Sequence, residues 1–303
     1  MSSILTNPSA ITALQSLRTT QHSLAMTQKE VSTGLKISSA TDNASTWSIA
    51  ETMKSDQGVL STIGDSMTVS SSLLNIAQTA VTNAISVLNN IKSAVAQAAQ
   101  PGADTAKIGT SLTGLSNQLK SIVASASFNG LNILDGSKSS FAFIASYTDG
   151  GGSTASALNT INLAATALIG GGGASPAVSA GSGILEAAQG TGATAATDFT
   201  NLSATDVGSA SVITDSLTNA DKAISDLTKY AAQIGATQTT ITGQAAFVKT
   251  LNEALTNGVS SLVDADMNEA STRLQALQTQ QQLGVQSLSI ANQNSQIILK
   301  LFQ

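Results

Sequence analysis

The fold is decided by residues 60–98, "LSTIGDSMTVSSSLLNIAQTAVTNAISVLNNIKSAVAQA", in which apolar residues recur every seven positions. A heptad pattern of this length is typical of a coiled-coil helix. The first heptad position holds Leu60, Met67, Leu74, Val81, Leu88 and Val95. The position three residues later holds Ile63, Ser70, Ala77, Ala84, Ile91 and Ala98, of which only Ser70 is polar.

The second half of the chain carries a matching pattern. Its seam positions include Ile224, Ile234, Val248, Leu255 and Leu262. Because two long amphipathic helices can bury their seams against each other, we expect the two halves to pack as antiparallel arms. The predicted fold is therefore mainly α, a long antiparallel helical bundle or coiled coil built from both chain ends, with a small β-hairpin and a loop-rich central insert.

Composition argues against several classes of function. Charged residues are 10% of the 303 residues, against about 25% in ordinary domains. No Lys/Arg cluster provides the basic surface that nucleic acid requires. No apolar run approaches the ~20 residues of a membrane span, so membrane insertion is not expected. The first 21 residues also lack the features of a cleaved signal peptide, and by themselves these features indicate a soluble cytoplasmic protein.

Catalytic and metal chemistry find no support in the sequence. The chain has no cysteine, and His22, its only histidine, lies in a segment rich in Gln and Thr, so the sequence shows no Ser-His-Asp set and no zinc ligand pattern. The segment from Asp264 resembles a calcium loop at its first positions. However, Glu269 stands where the turn needs glycine and Gln275 where a bidentate glutamate is needed. We expect no enzyme and no cofactor, and we interpret this segment as a polar helix boundary.

The two chain ends carry more apolar residues than one hairpin can bury. The terminal helices, residues 8–33 and 272–303, would form a hairpin that is marginal alone, so burial against further copies of the chain is predicted. The residues expected to pack in this way are Leu14, Leu17, Leu24, Val31, Leu283, Leu288, Ile290, Ile297, Ile298 and Leu301.

A glycine stop, a polar bend and a helix restart follow the first helix in "STGLKISSATDNASTWSIAETM", residues 32–53. Gly34 is expected to end the first helix, and Thr41 or Asp42 to cap the next one. Trp47, the only tryptophan, follows the bend. It either anchors the restarted helix against neighbouring chains or fills its own bundle.

Four segments, in this order, resemble bacterial flagellin, the subunit of the flagellar filament. They are "SILTNPSAITAL", the stretch from residue 32 to 53, "FNGLNILDG" at residues 128–136, and "SLSIANQNSQIILKLFQ" at the end. The resemblance covers roughly residues 1–136 and 207–303. It implies a structural subunit that self-assembles into the filament for motility.

The resemblance also implies an architecture. Residues 1–40 and 268–303 would be inner-tube helices, residues 41–136 and 207–267 a central bundle with a short hairpin, and residues 137–206 a short outward insert rich in Gly, Ser, Ala and Thr. Gly34, Lys36, Asp42 and Trp47 would belong to a spoke between tube and bundle. "FAFIASY" alternates as a strand does, "TINLAATALI" fits a strand or short helix, and "GGGG" at residues 170–173 fits a flexible link.

The family further implies type III export without a cleaved signal peptide, an extracellular location in the flagellum, an export chaperone and a filament cap. One departure concerns host recognition. Where many flagellins carry an Arg-x-Arg-Glu cluster, this chain has Asn90, Ile91, Lys92 and Ser93, which argues against binding by the innate Toll-like receptor. Two alternatives remain at this point, a hook–filament junction protein and a monomeric exported helical binding protein.

Overall fold

The protein is mainly α-helical, as predicted. Its structure, a computed structural model, describes residues 7–148, 157–169, 183–186 and 188–301, with side chains described as far as Gln293. The long helices are α1 (Pro8–Thr33), α2 (Ala44–Ala98), α3 (Thr105–Ser125), α4 (Ala210–Val263) and α5 (Met267–Leu301). The chain divides into two compact units, Met1–Gly58 with Asn252–Gln303, and Val59–Leu251.

Helix α2 is longer than the sequence pattern required. The restart after the polar bend and the heptad segment form one helix of 55 residues. All twelve heptad positions from Leu60 to Ala98 are buried, including Ser70, whose hydroxyl donates to Ser66 O. The polar seam position is therefore satisfied within the helix itself, so it leaves no unpaired hydroxyl in the core.

Helix α4 supplies the opposing seam. Within the Val59–Leu251 unit it runs antiparallel to α2, since Gln238 Nε2 donates to Asn75 Oδ1 at 2.6 Å and Lys92 pairs with Asp221. Buried residues of α4 recur every seven positions, and the position three residues later holds the buried Ser216, Ala223 and Tyr230. The strict heptad consists of Ile213, Ala220, Leu227, Ile234, Ile241 and Val248.

Of the five α4 residues named from the sequence, Ile224 lies beside this seam, and Leu255 and Leu262 keep its seven-residue spacing in the other unit. Ile234 and Val248 are buried, whereas Ile224, Leu255 and Leu262 are half-buried. Ile224 is displaced because its neighbour Ala223 takes the inward position. The sequence pattern allowed either residue, and the smaller side chain faces the core.

Two antiparallel strand pairs occur in the described part of the chain. β1 (Ser127–Phe128) and β2 (Leu131–Asn132) enclose Asn129 and Gly130, whose φ angles are +50° and +76°. Such angles are typical of the tight Asn-Gly hairpin turn. β3 (Ser140–Thr148) pairs with β4 (Ala157–Ala164), and Phe141, Phe143 and Ala145 of β3 are buried on alternate positions. The predicted link at residues 170–173 lies outside the described residues.

The later part of the insert packs against α3 and α4. Asn219 of α4 is fully buried, and its Oδ1 accepts from Gly190 N at 2.6 Å. Its Nδ2 donates to Ala195 O and Thr197 Oγ1, both at 2.8 Å. One side chain therefore satisfies three polar groups of a loop that has little regular structure.

Shortening one seam residue should destabilise the bundle. We expect Leu88→Ala to lower the free energy of unfolding by about 2–5 kcal/mol, because Leu88 is fully buried and its removal leaves a cavity. Urea denaturation of the isolated chain, followed by circular dichroism, measures the change. Val69→Ala is the matched control, since Val69 lies on the same helix and is 52% exposed. Equal effects at the two positions would contradict the seam assignment.

The insert should depend on Asn219. Asn219→Ala leaves the Gly190 amide without its side-chain acceptor in a buried site, at a cost of about 1–3 kcal/mol. Faster amide hydrogen exchange at Gly190 and Thr197 should accompany the loss. Asn89→Ala on the exposed face of α2 serves as the control, and unchanged protection at Gly190 would refute the role of Asn219.

Candidate assembly surface

The unit formed by Met1–Gly58 and Asn252–Gln303 contains a two-helix hairpin of α1 and α5. Asn7 caps α1 through its Oδ1 and also donates its Nδ2 to Ala291 O at 2.9 Å. Leu35 forms an antiparallel bridge with Asp264 at the other end. Between these points a Cβ built on Gly284 would lie 3.2 Å from Leu17 Cδ1. The helices are therefore antiparallel and in close contact.

A single heptad seam joins the two helices. In α1 its buried or half-buried residues are Ala10, Ala13, Leu17, Thr20, Leu24, Thr27 and Val31. In α5 they are Ala270, Leu274, Leu277, Gln281, Gly284, Leu288 and Ala291. Many of these side chains are small or polar, so the hairpin buries little apolar area for its length. Since apolar burial contributes about 25 cal/mol per Å², the seam stabilises the hairpin only weakly.

The residues that the sequence assigned to filament packing fall into two groups. Leu17, Leu24, Val31 and Leu288 are half-buried in the seam and hold the hairpin together. Leu14, Leu283 and Ile290 are 37%, 59% and 60% exposed and face away from it. The side chains of Ile297, Ile298 and Leu301 lie outside the described residues. Their role stays a prediction.

Sequence reasoning missed four further exposed apolar residues of the hairpin, of which two, Ile11 and Val285, are more than half exposed. Ile11 is 60% exposed and Val285 is 54% exposed. Neither belongs to the heptad of its helix, so a search for seam periodicity passes over both. The signal that could have found them is the excess of apolar residues over one seam in each terminal segment.

A groove of about 820 Å³ runs along one side of the hairpin. Its floor contains the small residues Ala13 and Gly284, and Leu283 stands at its edge. The hydroxyls of Thr12 and Thr20 donate to Pro8 O and Ser16 O, so both are already satisfied within α1. The hairpin therefore presents both protruding apolar side chains and a recess.

Charge is absent from the sequence segments that form this surface. Residues 7–17 and 274–293 contain no Asp, Glu, Lys, Arg or His. Copies of the chain would not repel one another here, and burial would leave no unpaired charged side chain. The surface is suited to close packing against another uncharged surface.

The loop after α1 is fixed by backbone hydrogen bonds. Gly34 ends α1 in the left-handed conformation, with φ +71°, which glycine adopts without steric cost. Its carbonyl accepts from Ala265 N at 2.9 Å, and Lys36 N donates to Val263 O at 2.7 Å. Lys36 therefore acts in this loop through its backbone, and its side chain is exposed.

Asp42 holds the loop together rather than capping α2. Its Oδ2 accepts from the amides of Ser38 and Ser39, each at 3.0 Å, and from Lys29 Nζ at 3.1 Å. The Lys29 hydrogen bond, followed by that of the Ser38 amide, holds the pKa of Asp42 well below its ordinary value. Asn43 takes the capping position instead, since its Oδ1 accepts from Thr46 N. The expectation that Thr41 or Asp42 caps α2 is wrong.

Trp47 packs within its own unit. It is half-buried against a core cluster of Ile37, Ala50, Val259 and Val263. Of the two sequence-based interpretations, the local one accounts for this contact. The interpretation of Trp47 as an interface residue stays a prediction.

The acidic segment at Asp264 is a helix boundary. Asp266 Oδ1 accepts from Asn268 N at 2.9 Å and from Glu269 N at 3.3 Å, which places it at the start of α5. Glu269 pairs with Arg273. Among the residues that the structure describes, no group of three or more acidic or histidine side chains is placed to hold a metal ion. In the same part of the chain, no helix is long and apolar enough to cross a bilayer.

Two paired seams, a weakly packed terminal hairpin and an uncharged apolar surface define a helical structural protein that assembles with copies of itself. Comparison with known proteins agrees. Residues 4–139 match the bacterial flagellin N-terminal helical region, and residues 217–302 match the bacterial flagellin C-terminal helical region. The chain belongs to the bacterial flagellin family.

Full-length relatives support this assignment. The chain is 39% identical to Flagellin C of Rhizobium meliloti (strain 1021), with all of both chains covered. It is 38% identical to a flagellin of Brucella melitensis, again over all of both chains. It is 32% identical to Flagellin FljM of Caulobacter vibrioides, over all of this chain and 99% of the relative.

The chain is thus a structural subunit of the extracellular flagellar filament, not an enzyme, and it forms a homopolymer. The comparisons favour this function over the junction protein and the monomeric binding protein that the sequence had left open.

The loop should be sensitive to acid through Asp42. Because the pKa of Asp42 is lowered in the folded chain, its stabilising effect is present above the ordinary carboxyl pKa and is lost as the pH falls further. We expect wild type to be more stable than Asp42→Asn at pH 7, and the difference to shrink below about pH 4.

Carboxyl-carbon NMR titration of Asp42 tests the cause directly. Lys29→Met removes the hydrogen bond that contributes most and should move the pKa of Asp42 towards its ordinary value. An Asp42 that titrates normally in wild type would contradict the proposed network.

Proposed function

We propose that the α1–α5 hairpins of neighbouring copies pack together to form the inner tube of the filament. The observation that carries this proposal is the exposed apolar set Leu14, Leu283 and Ile290, which lies on the uncharged stretches 7–17 and 274–293 of the hairpin. One copy exposes this apolar area to water, whereas a tube would bury it, so assembly would stabilise the hairpin that the seam alone holds weakly.

The other parts of the chain take the roles that the family resemblance implies. Residues 1–40 and 268–303 form the tube, residues 41–136 and 207–267 the surrounding bundle, and residues 137–206 the outward insert. Gly34, Lys36, Asp42 and Trp47 belong to the spoke. The clamped backbone of the loop and the Asp42 network support this role, because they hold the loop in one conformation.

Export and capping complete the proposal. The family resemblance implies that the chain leaves the cell through the flagellar type III apparatus, without a cleaved signal peptide and with an export chaperone. The same resemblance implies that a filament cap receives it at the growing end. An ion pair between Lys92 and Asp221 occupies the region where many flagellins carry the receptor cluster, so Toll-like receptor recognition is not part of the proposal.

A charge placed on the exposed apolar set should stop assembly without unfolding the chain. Leu283→Asp leaves a side chain that water already reaches in the single copy, so circular dichroism of the monomer should be unchanged. Polymerisation would bury the unpaired carboxylate, and we expect no filaments by negative-stain electron microscopy after seeding with sheared fragments.

Leu283→Met is the matched control, since it keeps an apolar side chain of similar size and should still polymerise. Normal filaments from Leu283→Asp would remove Leu283 from the interface. Failure of the wild-type chain to extend seeds would contradict the filament function itself.

A further inference from the structure

Three of the exposed apolar residues, Ile11, Leu14 and Val285, lie on the face of the hairpin opposite the groove, whereas Leu283 lines the groove. A seam residue faces the partner helix, and each step along an α-helix turns the side chain by about 100°. In two antiparallel helices, the residue directly before each seam residue in the sequence therefore points to one side of the hairpin. The residue directly after each seam residue points to the other side. Thr12 directly precedes the seam residue Ala13, and Leu283 directly precedes the seam residue Gly284. Thr12 and Leu283 both line the groove. Leu14 and Val285 follow them and lie on the opposite face.

The two surfaces also lie at the same level along the hairpin. Leu17 contacts Gly284 and Asn7 bonds to Ala291, so the antiparallel register places Leu14 beside Val285. Ile11 lies one turn before Leu14 and extends the same face. We call Ile11, Leu14 and Val285 the ridge; they are 60%, 37% and 54% exposed. The groove lies behind the ridge, over Ala13 and Gly284.

We propose that the ridge of one copy inserts into the groove of the next copy. This inference rests on the proposed packing of hairpins in the filament, and it specifies the faces that meet. The groove has a volume of about 820 Å³, and its small floor residues Ala13 and Gly284 allow close approach of a second helix. The threonine hydroxyls beside it are already bonded, so an apolar ridge displaces no hydrogen bond from them.

The arrangement fits a polymer rather than a closed dimer. A two-fold dimer uses the same patch on both copies, whereas a ridge and a groove on opposite faces make a heterologous contact. Each copy that contributes its ridge still offers its groove, so addition continues without closing. The filament that the family forms requires a contact of this kind, and the occupant of the groove is therefore a second copy of this chain.

Engineered cysteines test the proposal, because the natural chain has none. Leu14→Cys places a thiol on the ridge, and Ser287→Cys places one in the groove. Filaments are assembled under reducing conditions, oxidised, and analysed by non-reducing electrophoresis. We expect each single variant to remain monomeric, a copolymer of the two to give dimers, and the double variant to give a ladder of dimers, trimers and longer products.

Two results would overturn the proposal. Dimers from either single variant would show that like faces meet. Monomers only from the copolymer and the double variant, in filaments seen by electron microscopy, would show that the ridge and groove are apart. In both cases the filament function stands. The filament function is contradicted by a different result, the failure of wild-type chains to polymerise.

A charge-pair experiment covers the case in which the cysteine variants fail to assemble. Val285→Lys and Ser16→Glu should each lower filament yield at least tenfold, and the double variant should restore it, because every ridge lysine then meets a groove glutamate. Circular dichroism of the monomers checks that each variant is folded. Yield that stays low in a folded double variant would also overturn the proposal.

Discussion

The opposed heptad seams of α2 and α4 are the constraint on which the rest of the structure depends. The chain is 3% aromatic, so apolar burial must come from Leu, Ile, Val, Ala and Met spread along helices rather than from a thick core. As a result, both seam positions of every heptad from Leu60 to Ala98 are buried. Helix α2 also buries Leu73, Ala80 and Val87 beside the seam, and its remaining positions are largely open to water. The insert buries apolar side chains such as Leu185 and Phe199, and Asn219 of α4 supplies hydrogen bonds that its irregular backbone needs.

The terminal hairpin uses the same principle with weaker residues. Its seam contains Ala13, Thr20, Gln281 and Gly284, where the bundle seam has Leu74, Val81 and Leu88. Small residues let the two helices approach closely, but they remove less apolar surface from water. Several larger apolar side chains of the hairpin, Ile11, Leu14, Leu283, Val285 and Ile290, are placed outside the seam. A chain that put those residues inward would form a more stable monomer and a poorer polymer.

The bundle could be predicted from the sequence because its period is strong and its residues are large. The seam of α5 in the hairpin could not be predicted in this way, because Ala270, Gln281 and Gly284 differ little in hydropathy from their neighbours in the sequence. The same limit explains Ile224, since the pattern cannot choose between it and the adjacent Ala223 when both are apolar. The sequence also did not show that Asn43, rather than Asp42, caps α2, and the reason is different. Both residues can cap a helix. The choice depends on Lys29, which lies 13 residues before Asp42 and meets it only after folding.

The loop between α1 and α2 shows how one unit can keep a weak hairpin in register. Gly34 and Lys36 bond to Ala265 and Val263, so the end of α1 and the start of α5 are fixed to the end of α4 by backbone atoms. Trp47 and Leu35 pack on the core cluster beside the same point. These bonds set the register at this end, and the far part is held by the seam and by the hydrogen bond from Asn7 to Ala291 O. The exposed Ile11, Leu283, Val285 and Ile290 lie in that far part, where contacts with other copies would have the most to stabilise.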